Sequence, residues 1–126
     1  MSNPLLSAAE SRQNRVDESW GHLTWLAGRP QGNVEGLTLG RVVLKAGQAN
    51  PRHSHPNCEE VLYLLAGRVE HSLGDQSFTL EAGDTLAIPA GVFHNGISLG
   101  PEDADMIVAY SEGDRQFVLE DLDAAR

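Results

Sequence analysis

The chain has 126 residues, enough for one buried core and too few for two independent ones. Eighteen Asp and Glu stand against nine Lys and Arg, a formal charge of -9 with no basic block anywhere; such a surface repels phosphate backbones and anionic lipid, so no nucleic acid and no membrane is expected as a partner. A single cysteine, Cys58, cannot staple the fold, the first residues lack the basic start and apolar run of a secretory signal, and no apolar stretch approaches the ~20 residues of a membrane span, which together point to a soluble, cytoplasmic protein.

Residues 1–19 are polar, with a weakly helical SAAESRQNR, and read as an arm without chemistry that either stays mobile or docks on a partner subunit. From Trp20 the pattern changes. Trp20 and Trp25 frame WGHLTWLAG, and two tryptophans so close are expected to plug a barrel end or cover a subunit interface rather than line a pocket. Then follow GLTLGRVVLKAG, EVLYLLAG, RVEHSL, QSFTLEAG, TLAIPAG, NGISLG, DMIVAYS and RQFVLED, short runs of β-formers punctuated by Gly, Pro, Asn and Asp. The pair RVEHSL and QSFTLEAG reads as a hairpin turning at Gly74-Asp75. Residues 20–126 are therefore expected to form one all-β domain with a short C-terminal extension, closed as a barrel or two-sheet roll that leaves no long edge exposed.

Chemistry concentrates in PRHSHPNCEEVLY, residues 51–63. Side chains of an extended segment alternate faces, so His53 and His55 point to one side, roughly 6.5 to 7 Å apart along the backbone. In EEVLYLLAG, Glu60, Leu62 and Leu64 share one face and Glu59, Val61, Tyr63 and Leu65 the other, so one of the two glutamates must look inward. His94 follows a Pro89-Ala90-Gly91 turn that re-aims the chain. Three neutral imidazoles and one carboxylate suit a divalent first-row ion (Fe, Mn, Ni, Co, Cu or Zn) and suit Ca or Mg poorly. The competing reading is a metal-free hydrogen-bonded cluster, which must bear the cost of an ionised glutamate buried among imidazoles without a cation. Imidazole ligation also predicts a loss of metal affinity below about pH 6.

The spacing of these residues resembles the cupin superfamily. Gly47, five residues, His53, one, His55, four, Glu60, six and Gly67 is similar to the first cupin motif; Gly83, five residues, Pro89, one, Gly91, two and His94 is similar to the second. The resemblance spans roughly residues 37–110 and implies a double-stranded β-helix with His53, His55, Glu60 and His94 as metal ligands and one or two open coordination positions. Glu59 is expected on the outer face unless the register slips by one residue, and Cys58, in the loop beside the ligands where a thiol could attack or bind metal, is read as a spectator. The residue four after the second-motif histidine is Ser98 where the family usually has Asn; Asn95 faces the other way. The family tendency to pair barrels implies a homodimer, with Val43, Val61, Tyr63 and Leu65 as the candidate outer face.

His71 shares a face with Val69 and Leu73 and is a candidate catalytic proton shuttle, or equally a packing histidine. Arg41 and Arg52 alternate away from their apolar neighbours, towards solvent or a subunit contact. Three functions follow for a small-molecule substrate: a dioxygenase-like oxidoreductase acting on a small metal-chelating molecule, a non-redox isomerase, cyclase or lyase acting on a sugar, keto acid or polyketide, or a non-catalytic binding barrel.

Overall fold

A computed structural model describes residues 4–120. After a four-residue helix, α1 (Ala8–Ser11), eleven strands follow: β1 (Arg15–Glu18), β2 (Gly21–Ala27), β3 (Thr38–Leu44), β4 (His53–Ser54), β5 (Glu60–Ala66), β6 (Arg68–Leu73), β7 (Gln76–Glu81), β8 (Thr85–Ile88), β9 (His94–Ser98), β10 (Ala104–Tyr110) and β11 (Val118–Leu119). They form two antiparallel sheets, one ordered β1-β2-β3-β10-β5-β8 and the other β11-β4-β9-β6-β7. The two sheets face each other as a double-stranded β-helix, a jelly-roll barrel.

Alternation explains which residues fill it. In β5 the buried residues are Glu60, Leu62 and Leu64, and in β10 they are Ala104, Met106, Val108 and Tyr110. Leu44, Leu64, Val69 and Val108 are fully enclosed, each stabilising the fold by roughly 1.5–3 kcal/mol relative to exposure. The register Glu60↔Ile88 and Glu60↔Tyr110 leaves Glu60 at the inner face and Glu59 in solvent. No slip exchanges Glu59 and Glu60; the one register shift between β5 and β10 falls at Asp105/Met106, at the far end of the pair.

Two glycines shape the site. Gly67 carries the chain from β5 in one sheet to β6 in the other; its φ is +87°, and a Cβ there would come within 2.8 Å of Ala104 Cα, so only glycine passes this corner. Gly91, at φ +78°, makes the turn before β9, and its N–H donates to the His55 carbonyl at 3.0 Å. That bond ties the approach to His94 to the loop that carries His55.

The structure differs from the sequence expectation in three places. Residues 15–18, assigned to the arm, pair with β2 in the register Arg15↔Thr24 to Glu18↔Gly21; RVDE holds one apolar residue and gives no periodic signal. Of RQFVLED, residues 115–120 are described: only Val118–Leu119 form a strand, which pairs with His53 and Ser54, and the segment lies along the cavity as a strap. Val43 is 9% exposed, which takes it out of the candidate interface. Val61, Tyr63 and Leu65 remain exposed on the outer face of β5, at 45%, 43% and 47%. The Gly74-Asp75 hairpin forms as expected, with Leu73 opposite Gln76. No helix among the described residues is long and apolar enough to cross a membrane.

Candidate metal centre

The two sheets deliver the site from opposite sides. β4 and β9 pair at a single position, His53↔His94, which puts their rings 4.3 Å apart. His55 follows at the end of β4, and Glu60 enters from the first residue of β5 in the facing sheet. His53, His55 and His94 each offer a nitrogen, all lying within 4.8 Å of one another. Glu60 Oε1 is 3.3 Å from His55 Nε2 and 3.2 Å from His94 Nε2. All four side chains are buried.

The outer ring nitrogens decide what the inner ones can do. Nδ1 of His53 donates to the Pro51 carbonyl at 2.7 Å, that of His55 to the Gln116 carbonyl at 2.8 Å, and that of His94 to the Val92 carbonyl at 2.9 Å. A carbonyl oxygen only accepts, so each Nδ1 carries a proton, and the neutral form of each ring, the form that binds a metal, turns an unprotonated Nε2 inward. His55 Nε2, His94 Nε2 and Glu60 Oε1 are buried without a hydrogen-bond partner. Lone pairs thus face lone pairs at 3.2–3.3 Å, an arrangement that is costly unless a cation sits between them.

Charge points the same way. Burial pushes the Glu60 carboxyl upward, and only hydrogen donors or positive charge on the side of His55 and His94 can hold it down in the ionised form. A neutral ring that has given its only proton to a carbonyl has none for Glu60. The ionised carboxylate therefore calls for positive charge on the Nε2 side, and the donor set fits a first-row divalent ion. Burial also holds the His53 ring down at about 4, so protons compete for this ring only at a pH well below that of an unperturbed imidazole.

The other sequence candidates fall into place around the cage. His71 is buried on β6 and stacks on His94, with centroids 5.7 Å apart and planes 18° apart; its Nδ1 donates to the Ser72 carbonyl at 2.9 Å. Burial holds it near 4 as well. Cys58 is buried among apolar neighbours, where burial pushes its thiol upward and away from the thiolate form. Ser98 is buried with its Oγ unpartnered, while Asn95 faces away and bonds Asn50 and Ser72. Arg41 forms a bidentate pair with Asp105 at 2.8 and 2.6 Å. Arg52 ties the strap down, through Glu120 at 3.2 Å and Ser72 at 3.1 Å.

Beside the cage lies a cavity of about 420 Å³. His53, Glu60, His71 and His94 open onto it. Trp20 and Trp25 line it too, against the expectation that they plug the barrel or cover an interface. Residues without a sequence signal complete the wall: Tyr110 lies edge-on to His55 at 4.9 Å, and Phe117 of the strap stacks on His53 at 4.7 Å and 24°. Arg115 stands among these rings. Burial pushes the Tyr110 phenol well above its ordinary value, so it stays neutral.

Fold and cage together define a β-helix barrel whose interior presents three imidazoles and one carboxylate. The chain belongs to the cupin family: residues 40–110 match its cupin domain. It is 36% identical over 84 residues to germin-like protein 3-8 of Oryza sativa subsp. japonica, covering 63% of this chain and 37% of that protein. It is 33% identical over 69 residues to polyketide synthase CurC of Streptomyces cyaneus, covering 55% of this chain and 45% of that one. Among solved structures, an oxalate oxidase superposes with a TM-score of 0.77 at 24% identity, covering 94% of this chain and 64% of the other. The match spans less than half the length of each of these two curated relatives.

Protonation should set the stability of the metal-free protein. His53 and His71, near 4 in the fold, return to about 6.5 on unfolding, so between those values the unfolded chain binds protons that the fold refuses. Stability is then fully present above about pH 6.5 and is lost as pH falls through 4, on the order of 2–3 kcal/mol for each ring. Urea midpoints of chelator-treated protein should decline steadily from pH 7 to pH 4. A flat series would mean that these rings are not buried in neutral form.

Proposed function

We propose that the protein is a metal-dependent cupin oxidoreductase that binds one divalent first-row ion per chain through His53, His55, Glu60 and His94 and acts on a small molecule in the adjoining cavity. The observation that carries this reading is that His55 Nε2 and His94 Nε2 face Glu60 Oε1 at 3.3 and 3.2 Å, all three buried without a hydrogen-bond partner, a cage that a cation completes. An ion held there supplies Lewis acidity and, where it is redox-active, electron exchange with dioxygen and a chelating substrate. The backbone carbonyls of Pro51, Val92 and Gln116 orient the three rings. The aromatic wall keeps bulk water from the centre.

The ranking of redox above non-redox chemistry rests on the available base. Isomerase or cyclase chemistry needs a group of pKa near 7 to move a proton. His71, the candidate shuttle, is held near 4, too weak for that work at neutral pH. Its stacking on His94 suits a positioning role instead. The fold shared with an oxalate oxidase is consistent with redox chemistry but does not specify it, since one fold hosts many reactions. A homodimer through the exposed Val61, Tyr63 and Leu65 of β5 belongs to the same reading.

Elemental analysis of protein purified without affinity tags or chelators should find about one first-row metal per chain. Protein reconstituted anaerobically with Fe(II) or Mn(II) should then consume O2 only when a member of a panel of small enols, diols and keto acids is present. Turnover of such a compound by the Zn form without oxygen would transfer the reading to the isomerase and cyclase class.

A further inference from the structure

The strap after β10 places one cation at the cavity that no acid neutralises. The Arg115 guanidinium carbon lies 4.3 Å from the ring centre of Trp25, 5.1 Å from Tyr110 and 5.7 Å from Phe117. Among the described residues no carboxylate pairs with it. Its Nη1 is 3.4 Å from His55 Nδ1, but that nitrogen already donates its proton to Gln116, so two donors meet and no hydrogen bond forms. The guanidinium lies over ring faces, and among the described residues none of its N–H groups has an oxygen acceptor.

The box around it is built by packing. Trp25 lies on Gly40, where an added Cβ would come within 2.8 Å of the ring, and Phe117 is fixed by its stack on His53. Arg115 opens onto the same cavity as His53, Glu60 and His94. Beyond the cage, the wall is mostly apolar, with Trp20, Leu23, Val42 and Met106 among its residues.

We propose that Arg115 is the substrate-binding cation of this site and that it selects an amphipathic organic monoanion. A carboxylate or enolate head is clamped between Arg115 and the cage, and a flat apolar body lies along the tryptophan wall. This rests on the metal-centre reading above for the far side of the clamp, not for Arg115 itself. The cavity, about 420 Å³, lies in the range of sites that enclose a molecule with a substantial apolar body. A two-carbon diacid fills little of it and leaves the apolar wall uncovered. Glu18 also lines the cavity, and one guanidinium beside carboxylates favours a single negative charge over a phosphate dianion.

The test uses the full chain loaded with zinc, which is redox-silent, and titration calorimetry with three probes: cinnamate, cinnamyl alcohol and oxalate. Cinnamate is expected to bind, to weaken about 10-fold or more in Arg115→Gln and by less in Arg115→Lys, since a charge-assisted hydrogen bond contributes on that scale. Cinnamyl alcohol should bind more weakly and equally to all three proteins, and the zinc content should not change. Equal cinnamate affinity in wild type and Arg115→Gln, or no cinnamate binding by wild type, overturns the proposal. Oxalate binding more tightly than cinnamate overturns the apolar-body half of it. If the chain takes up no zinc, the metal-centre reading fails separately, and the same comparison on metal-free protein still decides whether Arg115 binds the anion.

Discussion

If His53, His55, Glu60 and His94 hold a metal ion as proposed, replacing His94 or His55 by alanine should leave a chain that folds but no longer takes up the ion. Each ring contributes one inward Nε2 whose direction is set by a backbone carbonyl on its other side, and no described side chain stands ready to replace it. Even partners that merely orient metal ligands typically change affinity by about 10–100-fold when removed, so loss of a ligand should exceed that. An ion that binds the folded cage only would stabilise wild-type protein by ~2.7 kcal/mol with zinc at about 100 times its Kd, on the order of 10 °C in melting temperature for a domain of this size. The variants should show almost none of that gain. His94 is buried and sits between His53 and His71, so alanine there also opens a hole. His55→Gln keeps most of the volume and separates the two effects. Stoichiometric metal retained by either His55 variant would remove His55 from the cage.

How much of this was legible in the sequence follows from the range over which each signal acts. His53 and His55 lie two residues apart and Glu60 opens an alternating strand, so the face they share can be read from the period-2 pattern alone. His94 is announced by the Pro89-Ala90-Gly91 turn. Arg115 and Phe117 had no such announcement: they reach the site because Leu119 pairs with His53 and Val118 with Ser54, contacts more than sixty residues apart in the chain. Trp20 and Trp25 were legible as large rings near a barrel end, but whether such a ring fills or lines an interior depends on the opposite wall, here on Gly40 making room beneath Trp25. The β1 edge, with Val16 as its one apolar residue, exists through pairing with β2 and not through any pattern of its own.

Glu60→Gln should change stability in opposite directions with and without metal. Both close imidazole contacts of Glu60 fall on one atom, Oε1, at 3.3 Å from His55 Nε2 and 3.2 Å from His94 Nε2. In the metal-free wild type that oxygen is an acceptor facing two acceptors. Glutamine oriented with its amide nitrogen at the same place brings two N–H groups, one for each ring, and removes the buried charge. At about 1 kcal/mol for each neutral hydrogen bond, the metal-free variant should be more stable than wild type by on the order of 1–2 kcal/mol. With zinc the order reverses: the amide points hydrogens into the cage and supplies no negative charge, so affinity should fall by at least about 100-fold and the metal-dependent gain should vanish. Urea unfolding of both proteins at pH 7.5, each with chelator and with zinc, measures all four states. A metal-free Glu60→Gln less stable than metal-free wild type would mean that bound protons already reconcile these three side chains, and that the centre does not depend on a metal ion for its balance.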